Sequence, residues 1–160
     1  MTAPLWRASN VKRLAAIENC FPAGVILSRS PYIRGMIIGT GFDLVTVDRF
    51  ARFMVRRGEL GLARLFTPDE IAYCLAHANP TPFLAVRFAA KEAFYKAVGT
   101  GIGVAGGWKD VEVVRLASGR PLLMLHGKAA GLVHDMQVRT IHLSLTHTAE
   151  TAGAFVVFEA

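Results

Sequence analysis

The segment Pro82–Val98 constrains the fold more than any other part of the chain. Phe83, Val86, Ala90, Ala93, Phe94 and Ala97 recur at helical spacing. Thr81-Pro82 supplies a start, and Gly99, Gly101, Gly103, Gly106 and Gly107 supply a stop followed by a pliable loop. The flanks Ala89, Ala90, Ala93 and Phe94 are apolar, so this helix must bury much of its circumference. It nevertheless carries Arg87, Lys91, Glu92 and Lys96.

The other elements arrange themselves around it. Met36–Gly41 is short and apolar and suits a buried strand. Val47–Arg57 suits a helix with Val47, Phe50, Ala51 and Met54 as its apolar stripe. Thr67-Pro68-Asp69-Glu70 reads as a capping box, opening a helix that runs to about His77. Val111, Val113 and Leu116 suggest a strand, Ser118-Gly119-Arg120 a turn, and Pro121–Leu125 a second strand. Lys128–Met136 suits a short helix. Ile141–Leu145 and Ala152–Phe158 close the domain as strands joined through Thr146–Thr151. The sum is a single α+β domain over residues 36–160, without an internal repeat.

Charge separates this domain from what precedes it. Residues 1–34 hold five basic side chains and one acid, whereas the remaining chain holds 13 basic and 11 acidic ones. The net charge of +6 thus belongs largely to the N-terminal segment. Residues 1–35 are read as an N-terminal extension, poorly ordered or lying upstream of a working start at Met36. A transit peptide is the competing reading, and the signal-peptide pattern is missing because Phe21–Leu27 is broken by Pro22 and Gly24. No apolar run is long enough to span a membrane. Cys20 and Cys74 lack CxxC spacing and suit reduced thiols in a cytoplasmic protein. The basic balance favours an anionic partner, which leaves nucleic acid, a phosphorylated cofactor and an acidic protein all open.

Four pieces carry possible chemistry. Gly39-Thr40-Gly41-Phe42-Asp43 delivers a carboxylate to a sheet edge, where it suits a hard cation or a helix cap. Glu92 and Lys96, four apart, share a helix face, either as a solvated pair worth about 0.3–0.5 kcal/mol or as part of a site. Gly99-Thr100-Gly101 allows backbone N–H groups to approach phosphate beside Lys96, or merely ends the helix. In Leu143-Ser144-Leu145-Thr146-His147-Thr148, alternation separates the leucines from Ser144 and Thr146, and His147 at the strand end can meet a phosphate or stay inert.

Taken in order, Ile38-Gly39-Thr40-Gly41-Phe42-Asp43-Leu44-Val45, Arg87-Phe88-Ala89-Ala90-Lys91-Glu92-Ala93, Lys96-Ala97-Val98-Gly99-Thr100-Gly101 and Ser144-Leu145-Thr146-His147-Thr148 resemble the holo-acyl-carrier-protein synthase family of phosphopantetheinyl transferases. The resemblance covers Met36 to Glu159. It implies the phosphopantetheinyl transferase fold in single copy, a small antiparallel sheet against a long helix, and a homotrimer with sites between subunits. It implies transfer of 4′-phosphopantetheine from coenzyme A to a serine of an acyl carrier protein. Asp43 and Glu92 would bind Mg2+, and Asp43, Glu92 and Lys96 would be catalytic. Arg87, Lys96, Gly99, Thr100, Gly101, Pro121, His147 and Thr148 would bind coenzyme A. The first helix would dock the acidic carrier through Arg49, Arg52, Phe53 and Arg56. Tyr95 stands where family members often have Ser, and Thr46 where some have Glu. The alternative is a basic nucleic-acid-binding module using the arginines and the N-terminal segment.

Overall fold

The computed structural model describes residues 35–160. The expectations for residues 1–34, and for Cys20, lie outside the described residues. The elements run β1 (Ile37–Thr46), α1 (Val47–Leu65), α2 (Pro68–Leu75), α3 (Thr81–Val98), a 3-10 turn (Trp108–Asp110), β2 (Val111–Arg115), β3 (Pro121–Leu125), α4 (Gly127–Asp135), β4 (Thr140–His147) and β5 (Thr151–Glu159).

Strands β1, β5 and β4 form an antiparallel sheet in that order, while β2 and β3 form a separate hairpin. Alternation divides the three-stranded sheet into two faces. Gly41 pairs with Val156 and Asp43 with Ala154, while Leu143 and Leu145 pair with the same two β5 residues from the other side. This row faces α3, whose Ala89, Ala90, Ala93 and Phe94 are fully buried. The opposite row, Phe42, Leu44 and Phe155, is exposed.

β1 continues beyond Gly41, where the sequence suggested it would stop. The two glycines are there for packing. A Cβ on Gly41 would collide with the Ala93 carbonyl, and one on Gly39 would meet the Ala97 carbonyl. Hydrogen at these positions lets strand and helix backbones touch, so the strand passes under α3 and carries Asp43 to the flank of that helix.

Helix α1 extends past Arg57, the expected end, but its geometry breaks just after it. Gly58 has φ 56° and ψ −153°, which divides the helix into two arms. Phe50 on the first arm packs on Phe88 of α3 with ring centroids 5.6 Å apart. Helix α2 opens with the capping box expected: Glu70 N donates to Thr67 Oγ1 at 3.3 Å, and Thr67 N to Glu70 Oε2 at 2.9 Å. No helix among the described residues is long and apolar enough to cross a membrane.

Candidate active site

Asp43 arrives from β1, and Glu92 and Lys96 from α3. The close strand–helix approach brings them together across 53 positions of sequence: Lys96 Nζ donates to Asp43 Oδ1 at 2.8 Å and to the Phe42 carbonyl at 2.9 Å. Glu92 holds its proton more tightly than an ordinary glutamate. Burial is the larger cause, the Asp43 charge adds to it, and Lys96 opposes both. The three side chains line one cleft of about 1010 Å3.

The cleft has a polar end and an aromatic wall. Phe88 and Trp108 stack at 5.1 Å with planes 28° apart, and both line it together with Phe50 and Phe53. Arg49 and Arg56 of α1 line it as well. Arg52 does not; it pairs with Asp48 at 2.9 Å on the exposed side of the helix.

Two facing carboxylates whose repulsion is relieved only in part by one lysine suit a hard divalent cation. Among the described residues, no group of three or more His, Cys, Asp or Glu side chains could hold a metal. An ion held by Asp43 and Glu92 would therefore draw its other ligands from water and phosphate, which is the habit of Mg2+.

The remaining expected residues lie elsewhere. Gly99, Thr100 and Gly101 are exposed in the loop that follows α3, with Gly99 and Gly101 at positive φ. Arg87 and Glu92, five residues apart, project about 140° apart around the helix. Arg87 is buried, with its guanidinium 4.2 Å from the Tyr73 ring centroid and Nη1 donating to the Phe83 carbonyl. Its Nε is buried without a partner among the described residues. His147 packs edge-on against Phe83, which stacks on His77 at 3.7 Å. Thr148 Oγ1 accepts from the backbone N–H of Glu150 and Thr151, closing the β4–β5 turn, and Pro121 opens β3 opposite Arg115. None of Arg87, Pro121, His147 and Thr148 lines the cleft of Asp43 and Glu92.

Two features escaped the sequence reading, and a third, Tyr95, was marked there only as standing in place of the family's Ser. Trp108 closes the aromatic wall, and only its place after the glycine loop hinted at it. Lys91 is wholly buried against Glu70 at 2.7 Å and donates to the Trp108 carbonyl at 2.9 Å. A lysine among the alanines of a buried helix was the available signal. Tyr95 is buried, and its hydroxyl donates to the Gly107 carbonyl at 2.6 Å.

Residues 39–148 match the family model described as the 4′-phosphopantetheinyl transferase superfamily. A holo-[acyl-carrier-protein] synthase of Koribacter versatilis is 47% identical over 124 residues, spanning 78% of this chain and 99% of the relative. One from Solibacter usitatus is 48% identical over the same shares. The crystal structure of the Neisseria meningitidis holo-[acyl-carrier-protein] synthase superposes with a TM-score of 0.73 at 34% identity, covering 78% of this chain and 100% of that one. That of a Bacillus anthracis holo-(acyl-carrier-protein) synthase, in complex with CoA (3′,5′-ADP), does so with 0.65 at 34% identity, covering 78% and 98%. With its α+β fold, its antiparallel sheet against α3 and these relatives, the chain belongs to the 4′-phosphopantetheinyl transferase superfamily.

Proposed function

We propose that this protein transfers 4′-phosphopantetheine from coenzyme A to a serine of an apo acyl carrier protein, leaving adenosine 3′,5′-bisphosphate. The observation that carries the reading is the meeting of Asp43, Glu92 and Lys96 in one cleft. A new bond forms between the serine oxygen and the β-phosphorus of coenzyme A. The bond from that phosphorus to the bridging oxygen breaks, and the leaving bisphosphate keeps the electron pair. Lys96 offers positive charge to the phosphoryl oxygens. The serine proton needs an acceptor, either Glu92 or a water that the bound ion would hold. Asp43 and Glu92 would hold Mg2+, which when bound supplies charge neutralisation at the diphosphate.

The acidic carrier docks on α1 through Arg49, Phe53 and Arg56, which border the cleft, with Arg52 farther out. Coenzyme A extends from Lys96 and the Gly99-Thr100-Gly101 loop to a nucleotide end formed by Arg87, Pro121, His147 and Thr148. Those last four do not border the same chain's cleft, which supports a homotrimer in which each site draws on two neighbours. The exposed row Phe42, Leu44 and Phe155 supports the same assembly, since burial of an apolar sheet face drives association. The free, buried thiol of Cys74 accords with a cytoplasmic setting. The nucleic-acid reading is weaker, because Arg49 and Arg56 border a cleft that also holds two carboxylates.

Intact-mass spectrometry of an apo carrier incubated with the protein, coenzyme A and Mg2+ tests the reaction. The carrier gains about 340 Da if the phosphoryl group and its arm are moved. An unchanged carrier mass refutes the proposal.

A further inference from the structure

The loop from Gly99 to Gly107 is a poor candidate for rigidity on sequence grounds. Gly99, Gly101, Gly103 and Gly106 all have positive φ, and glycine loses more freedom on ordering than any other residue. One residue meets this difficulty at both ends, through its backbone where the loop begins and through its side chain where the loop ends. The Tyr95 carbonyl accepts from Gly99 N at 3.1 Å where the loop begins. Its hydroxyl donates to the Gly107 carbonyl at 2.6 Å where the loop ends.

The surroundings fix that contact. The Tyr95 ring is buried, edge-on to Phe94 at 5.3 Å and to Trp108 at 6.2 Å. Burial first, and the Asp110 charge second, push the phenol up to about 12, so it stays a donor at any working pH. The Gly107 carbonyl also accepts from Asp110 N at 3.0 Å, and Gly107 N donates to Asp110 Oδ2 at 2.9 Å. Trp108, the next residue, lines the cleft. A short side chain at position 95, such as serine, would not reach Gly107 from the helix.

We propose that Tyr95 is a positioning residue for the diphosphate of coenzyme A, its hydroxyl holding the far end of the Gly99–Gly107 loop against the helix from which that loop departs beside Lys96. The proposal rests on the transferase reading of the cleft. Tyr95 touches no reacting atom; it sets the loop whose N–H groups meet the phosphates and the angle at which the chain re-enters the cleft at Trp108.

Tyr95→Phe removes the hydroxyl alone, and Asp110 N still satisfies the Gly107 carbonyl. The Michaelis constant for coenzyme A then rises about five-fold, the scale of one lost hydrogen bond, while kcat and the constant for the carrier stay within about two-fold. Hydrogen exchange quickens in the peptide spanning residues 99–107 and not in β5. A constant for coenzyme A within about two-fold of the parent overturns the proposal, as does an equal rise in both constants. If the parent transfers nothing, the transferase reading fails; faster loop exchange in Tyr95→Phe then still upholds the hold of the hydroxyl on the loop, and unchanged exchange refutes it. Should the variant not fold, the parent decides: slow exchange at Gly99, Gly103 and Ala105 upholds an ordered loop, and exchange at the rate of an unfolded chain overturns it.

Discussion

Lys91 and Glu70 form an ion pair 2.7 Å long from which water is excluded, both side chains being 0% exposed. The pair ties α3, one residue before Glu92, to the first turn of α2. Glu70 Oε1 accepts from Val113 N at 3.0 Å, so β2 joins the same knot. Thr67 extends it, donating to Glu112, which also pairs with His126 at 2.8 Å. The capping glutamate thus serves as the anchor of three elements.

Removing one member of such a pair leaves an uncompensated buried charge. Lys91→Met should cost about 3–5 kcal/mol near pH 8. Burial already raises the proton affinity of Glu70, and losing Lys91 raises it further. A folded state that binds a proton more tightly than the unfolded chain gains stability as pH falls and loses it as pH rises through the folded pKa. The deficit against the parent is therefore largest near pH 8 and smallest near pH 5, as measured by urea denaturation at both. A deficit independent of pH contradicts this account of the pair.

Gly41 is the closest strand–helix contact at the site. In Gly41→Ala the new methyl meets the Ala93 carbonyl, so β1 must move away from α3. Overpacking of this kind costs about 1–3 kcal/mol. Asp43, two residues on, is carried away from Glu92, and a shift of about 1 Å lowers turnover about 100-fold. Thermal melting and steady-state assays on the same preparation separate the two effects. An active-site loss no greater than the unfolded fraction contradicts the positioning role.

The arginines of α1 are not equivalent. Arg49 and Arg56 border the cleft, whereas Arg52 is engaged with Asp48. Arg49→Glu and Arg56→Glu should each raise the Michaelis constant for the carrier about ten-fold, more than Arg52→Glu, with little change for coenzyme A. The difference shrinks as salt rises, because exposed charges are screened beyond about 10 Å at 0.1 M. Equal effects on both substrates argue against a docking role.

Local signals carried most of the fold. The capping box at Thr67 and Glu70, the left-handed stop at Gly99 and the alternation of β4 are written in neighbouring residues, so each was legible. The reach of β1 was not, because Gly39 and Gly41 answer to α3, a partner distant in sequence. At the site, the spacing of Glu92 and Lys96 put both on one face, and the resemblance joined them to Asp43. Arg87 looked equally available, yet it lies buried against Tyr73, since the angle around α3 and the placement of α2 decide its surroundings. Tyr95 stood out only as a departure from the family's Ser, and Trp108 stayed silent, for the same reason: their contacts depend on where the glycine loop returns.

Binding of Mn2+, followed by electron paramagnetic resonance with coenzyme A present, addresses the shared-ion site directly. The parent should hold one ion per site, and Asp43→Asn and Glu92→Gln should each weaken it by at least about ten-fold. Affinity in the parent should also fall on acidification from above the ordinary carboxylate range, because a proton on Glu92 competes with the metal. Either variant binding Mn2+ as tightly as the parent contradicts the assignment of one cation to these two acids.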